Sequence, residues 1–288
     1  ERIDLEPVPE IARKFVKVLD SPFLLAGQLV DVSASIGIAY SPDHGRDSVS
    51  LMQRADMAMY AAKRSHSGFE LYSGELLQGS RADLAFKSEL LQAMANNELV
   101  LYFQPKIDLR SSRIISVESL VRWQHPQRGF LSPDVFIPLA EQTGLINQLT
   151  FWVLKNALQQ CAVFDQAGVE ITVAVNLSAR SLNDIRIPGE IAHMLGIAKI
   201  KPAMLVIEIT ESAVMSNPDE ALNALQILDR MGVSLAIDDF GTGYSSLAYL
   251  SKLPVDEIKI DKSFVLDMVL DQQAAVIVRS TIDLGHNL

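Results

Sequence analysis

Five apolar runs in this chain end on, or close to, an acid, an amide or an amine. "IISVESL" carries Glu118, "ITVAVNLS" carries Asn176, "LVIEIT" carries Glu208, "LAIDDF" carries Asp238 and Asp239, and "EIKID" carries Lys259 and Asp261. Such groups are costly inside a protein unless they are paired or hold a metal. Three readings compete for the adjacent acids Asp238 and Asp239. They could form a turn or a helix cap, since Asp favours both. They could open a dinucleotide loop, because Gly241 and Gly243 follow a strand. However, Ser246 stands at the third glycine position, and two carboxylates would repel a pyrophosphate. Or they could hold hard cations, which prefer oxygen ligands. With Glu118, Asn176 and Glu208 from neighbouring strands, the pair could hold two ions about 3.5–4 Å apart, an arrangement that cleaves phosphodiesters.

Each member also has a plainer reading. Glu118 alone would suit a rim salt bridge, and Asn176 a loop cap. Lys259 could be a surface residue, yet it lies between Ile258 and Ile260 and alternates away from both. In the metal reading it orients or deprotonates a water. The five histidines show no paired ligand spacing, and neither a Gly-x-Ser-x-Gly elbow nor a Walker loop occurs.

The elements that would position these residues fall into two blocks, residues 1–78 and 79–288. In the first, "EIARKFVKVLD" reads as an amphipathic helix stopped by Ser21-Pro22. "QLVDVSASIGIAYSP" reads as strand structure, and "DSVSLMQRADMAMYAAKRS" as a helix with Leu51, Ala55, Ala58, Met59 and Ala62 on one face. "FELYS" is a short strand, and "SGELLQGSR" a polar join. The second block alternates strands and helices after a first strand pair, "ELVLYFQPKI" and "RIISVESLVRW", and six strands are expected in it. One helix is punctuated by Asn217 as cap, Pro218 at its start, a Leu222, Leu225, Leu228 stripe, and Gly232 at its end. Apolar strands separated by helices predict an α/β parallel sheet, either a barrel short of two strands or an open doubly wound sheet.

The chain has 288 residues, 49% hydrophobic and 21% charged, with a net charge of -10. That balance argues against non-specific DNA or RNA binding, which needs a basic field. No apolar stretch approaches the roughly 18 residues that span a bilayer. The chain starts at Glu1, so it reads as a fragment, with any membrane anchor lying upstream. The single cysteine, Cys161, excludes an internal disulfide, fits a reducing compartment, and sits in an apolar helical pattern as a core residue.

Six segments, "YFQPKIDL", "VESLVRW", "VNLS", "IEITES", "DDFGTGYSSL" and "IKIDKSFV", resemble the EAL domain family in the family's order, over roughly residues 84–288. EAL domains are TIM-like (β/α) barrels that hydrolyse cyclic di-GMP to linear pGpG in bacterial signalling. The resemblance implies that Glu118, Asn176, Glu208, Asp238 and Asp239 bind two Mg²⁺ or Mn²⁺ ions. It implies that Lys259 positions the attacking water, that Glu211 anchors the loop after Asp239, and that Gln104 and Arg122 contact substrate. It makes Glu118 and Asp239 catalytic together with Lys259. In the family the loop matching residues 240–246 couples metal binding to dimerisation, so a homodimer is expected. The name motif reads Glu-Ser-Leu here, and Ser119 alternates away from the face of Glu118. The family's glutamate on the seventh strand and glutamine near the eighth lie beyond Leu288, so the isolated chain is expected to be poorly active.

The first block, through "SIGIAYSPDHG" and "ADMAMYAAK" over about residues 1–73, resembles the C-terminal half of an α+β GGDEF domain, the diguanylate cyclase module. Lys63 matches a family lysine near nucleotide phosphates, while His66, Ser67 and Gly68 replace the usual Gly-Arg-Asn. That departure suggests a degenerate, regulatory module. The expected whole is a cytoplasmic phosphodiesterase, with any inner-membrane anchor upstream. The alternatives are a non-catalytic cyclic di-GMP receptor and a bifunctional GGDEF-EAL parent.

Overall fold

The computed structural model describes residues 7–19, 23–25, 28–30, 34–65, 67–241 and 247–287. It divides into two compact units, residues 1–89 and 90–288.

In the first unit, helix Pro7–Leu19 precedes an antiparallel pair, β1 (Phe23–Leu25) and β2 (Gln28–Val30). The Ser21-Pro22 stop lies outside the described residues. β3 (Ile36–Ile38) and β4 (Phe69–Leu71) pair in parallel through the crossover helix Ser48–Ser65. Ala58 and Ala62 of that helix are fully buried, as their spacing predicts, whereas Met59 is exposed. Strand and helix touch so closely at Gly37 that a Cβ there would stand 1.9 Å from the Ala55 carbonyl oxygen. Lys63 is exposed, and His66 lies outside the described residues.

The stretch expected to be a polar join is instead the start of a 22-residue helix, Gly74–Ala95. An internal glycine costs a helix only about 1 kcal/mol relative to alanine. The surrounding Leu, Gln, Ala, Lys and Glu residues favour helix, and at this length they outweigh the local turn signal.

The second unit is built on one sheet of β5 (Leu99–Asp108), β6 (Arg113–His125), β7 (Gly129–Leu131), β8 (Thr172–Leu177), β9 (Leu205–Thr210), β10 (Ser234–Phe240) and β11 (Glu257–Ile260). The path runs β11-β10-β9-β8-β6-β5, with β7 paired to β6. β5 and β7 are antiparallel to β6, and every other pair is parallel. The six expected strands are present. The short β7 adds a seventh because Trp123 to His125 extend β6 far enough to pair with it.

Val173 to Val175, Leu205 to Ile207 and Leu235 to Ile237 are buried, as strands covered on both faces must be. Outside, helices Ile146–Gln166, Ile187–Ala198 and Pro218–Arg230 turn apolar stripes towards the core, among them Leu154, Leu158 and Cys161, Ile191, and Leu225 and Leu228. Asn217 precedes the last of these without a side-chain cap bond, contrary to expectation. Its backbone stands at φ -150° and ψ 81°, away from the φ -72° and ψ 150° of Thr210, whose side chain does cap its helix.

Inside, the small or slender Ala174, Val206 and Ala236 meet in one cluster. The sheet curls around them, so that side chains of the two edge strands meet: Lys106 of β5 pairs with Glu257 of β11 at 2.6 Å. The architecture is therefore an α/β half-barrel, not a flat doubly wound sheet.

Candidate active site

Strand periodicity builds the site directly from that inner cluster. Asn176, Glu208 and Asp238 each lie two residues beyond Ala174, Val206 and Ala236, so a polar layer stands on the small apolar one. Glu118 joins from β6. On that strand Val117, Ser119, Val121 and Trp123 are buried, while Glu118, Leu120 and Arg122 alternate with them and are only half-buried. Ser119 donates to the Ala174 carbonyl oxygen at 2.6 Å, which satisfies its hydroxyl away from the site.

Lys259 is the centre of the layer. Its ammonium donates to Glu208 Oε2 at 2.7 Å, Asp238 Oδ2 at 2.8 Å and Glu118 Oε2 at 3.1 Å. Asn176 donates from Nδ2 to Glu118 Oε1 at 2.8 Å. Carboxylate oxygens of Glu118, Glu208 and Asp238 lie within 4.8 Å of one another.

Burial pushes the Glu208 carboxyl up to about 7, against the pull of Lys259. Burial acts to lower the Lys259 ammonium, but hydrogen bonds to Asp238 and Glu208 outweigh it and raise its pKa. Once all three carboxyl groups are deprotonated, three carboxylates around one ammonium leave a surplus of two negative charges. Glu208 Oε1, inside a fully buried residue, has no hydrogen-bond partner. An all-oxygen donor set with surplus negative charge and a buried bare carboxylate oxygen fits a hard divalent cation.

The two adjacent aspartates are handled by the backbone. In a regular strand they would face opposite sides. Here the register to β11 slips between Ile237 and Phe240, and Asp239 takes the left-handed conformation at φ 53°. The Asp239 N–H donates to Asp238 Oδ1 at 2.9 Å. Asp238 points into the carboxylate cluster, while Asp239 stands outside it, exposed at its rim. Partial burial raises the Asp239 carboxyl, and the charges of Asp238 and Asp261 add to the effect. Gly241 follows at φ 100°, and its N–H donates to the buried Glu211 at 3.0 Å. Residues 242–246 of this loop lie outside the described residues.

Gln104 is exposed on β5, directly across the ladder from Glu118. Arg122 donates to the Val121 carbonyl oxygen at 2.8 Å and lines a cavity of about 430 Å³ with Leu120, Glu141, Asn176 and Thr210. The sequence reading missed Lys106 and Glu257. Lys106 sits two residues from Gln104, on the strand paired with that of Glu118, and this spacing was the available signal.

Comparison with known proteins gives matches to both parts of the chain. Residues 3–68 match the diguanylate cyclase GGDEF domain, and residues 87–288 match the EAL domain. The Pseudomonas aeruginosa protein named bifunctional diguanylate cyclase/cyclic di-GMP phosphodiesterase MucR is 39% identical over 280 residues, covering 96% of this chain and 41% of MucR. The Escherichia coli cyclic di-GMP phosphodiesterase PdeR is 37% identical over 279 residues, covering 96% of this chain and 42% of PdeR. The chain thus spans about two fifths of these relatives. A solved MucR phosphodiesterase in complex with c-di-GMP superposes with a TM-score of 0.67 at 41% identity, covering 69% of this chain and 81% of that one. By the EAL match over residues 87–288, the chain belongs to the EAL domain family.

Proposed function

We propose that the second unit hydrolyses cyclic di-GMP to linear pGpG with the help of two divalent cations, Mg²⁺ or Mn²⁺. The observation that carries this reading is the cluster of Glu118, Glu208 and Asp238 around Lys259, with Glu208 Oε1 bare. Glu118, Asn176, Glu208, Asp238 and Asp239 would hold the ions. When bound, the ions would activate a water and take up charge on the phosphodiester oxygens. Lys259, with its raised pKa, keeps its proton at neutral pH. It therefore orients the water as a donor and leaves deprotonation to other groups. Arg122 supplies a planar cation for a substrate phosphate, and Gln104 an amide at the neighbouring edge. Glu211 fixes Gly241 and, through it, the turn that carries Asp239.

A homodimer formed through the loop after Asp239 and a regulatory role for residues 1–78 belong to the same reading. So does a cytoplasmic catalytic part, with any inner-membrane anchor outside this chain. No described helix is long and apolar enough to cross a membrane.

The test is turnover of cyclic di-GMP to pGpG with Mg²⁺ or Mn²⁺, in the complete gene product and in its Glu208→Gln and Asp239→Asn variants. Each substitution should lower turnover by roughly 100-fold. Binding of cyclic di-GMP without any turnover in the unsubstituted protein would instead make it a receptor.

A further inference from the structure

The Lys106–Glu257 pair lies beside the carboxylate cluster and is not used by the mechanism above. Lys106 projects from β5 and Glu257 from β11, and their charges meet at 2.6 Å. The same ammonium stands 3.9 Å from Glu208 Oε1. That separation is too long for a hydrogen bond, so Oε1 remains the one carboxylate oxygen of the described residues that is buried without such a partner. The other Glu208 oxygen already accepts from Lys259. A lysine carries its charge on a flexible stem with three rotatable donors. A shift of about 1 Å would bring Lys106 into hydrogen-bonding range of Oε1. Glu257 is the group that holds it back.

We propose that Glu257 is a latch: it keeps the Lys106 ammonium off Glu208 Oε1 and so leaves that oxygen open to a divalent cation. The proposal rests on the cation reading of the cluster. With the latch closed, Glu208 offers one oxygen to Lys259 and one to the ion. With Glu257 neutralised, Lys106 turns to Oε1 and competes with the ion for it. Glu257 is therefore a positioning residue that acts through Lys106. Its consequence is a cation affinity set by an ion pair between the first and last strands of the sheet.

The latch has a signature that simple bracing of the fold lacks. Mn²⁺ binding would be measured by isothermal titration on the 288-residue chain and on the Glu257→Gln, Lys106→Met and Lys106→Met/Glu257→Gln variants, with Asp238→Asn as a control for the site. Glu257→Gln should weaken Mn²⁺ binding roughly tenfold. Lys106→Met should leave it unchanged or tighten it. In the Lys106→Met background, Glu257→Gln should have no further effect, because the competitor is gone.

Weakening by both single variants would mean the pair only braces the strands, and would overturn the latch. Purely additive effects in the double variant would assign them to through-space charge, and would overturn it equally. Absence of Mn²⁺ binding in the unsubstituted chain would overturn the cation reading and the latch together, whereas binding with the wrong order of variants overturns the latch alone. Should Lys106→Met fail to fold, Lys106→Gln removes the charge at similar length and gives the same contrast.

Discussion

Glu208 shows how one side chain couples folding to ligation. It is fully buried, and burial raises its carboxyl from 4.5 to about 7 despite Lys259. A carboxylate raised in the folded state favours folding below its unfolded value and loses that contribution as pH climbs through 7. A cation needs the deprotonated form. Below about 7 it must displace a proton, and above 7 it need not. Mg²⁺ or Mn²⁺ affinity should therefore rise by about tenfold per pH unit up to pH 7 and then level off. Titration calorimetry in buffers from pH 5.5 to 8.5 measures this, and a flat profile would separate Glu208 from the ion.

At the scale of the elements, two close approaches matter. Gly241 follows β10 at φ 100°, and a Cβ there would stand 3.1 Å from the Phe264 ring. Strain at such an angle costs about 1–3 kcal/mol. Gly241→Ala should lower stability by that order and, by displacing the Glu211 contact, weaken cation binding as well. Denaturant unfolding with and without Mn²⁺ reads both effects. In the first unit, Gly37 lets β3 lie against the Ser48–Ser65 helix with no room for a methyl group. Gly37→Ala forces strand and helix apart, with an expected loss of about 1–3 kcal/mol. Proteolysis should then cut within residues 1–89 before it cuts the second unit.

At the scale of the whole molecule, the curl of the sheet does the work that no single strand can. It brings Lys259 of β11 to Glu118 of β6, four strands apart along the sheet path. The outer helices hold that curl, and Cys161 is buried among their apolar side chains, where burial also raises its thiol pKa. The thiol is both inaccessible and protonated. A thiol reagent at pH 8 should therefore label the native chain only at the rate of opening, and labelling should become rapid through the unfolding transition. Fast labelling of native protein would show that the helix Ile146–Gln166 does not stay docked.

The sequence by itself determined which residues gather in the candidate site and most of the elements that carry them. Period-two spacing places Asn176, Glu208 and Asp238 beyond buried strand segments, and alternation turns Ser119 away from Glu118. Both follow from the geometry of a single strand and need no knowledge of neighbours. Helix Pro218–Arg230 was equally legible, because Pro218 and its leucine stripe act within a few residues. Only the tertiary structure decided the rest. The helix Gly74–Ala95 runs through a local turn signal because cooperative helix formation outweighs one glycine. The left-handed backbone of Asp239, which sets where its carboxylate stands beside Asp238, accompanies a register slip against β11, which is a property of two strands and not of one. The roles of Lys106 and Glu257 exist only because the sheet curls far enough to bring its first and last strands together, and contacts across 151 residues leave no trace in local pattern.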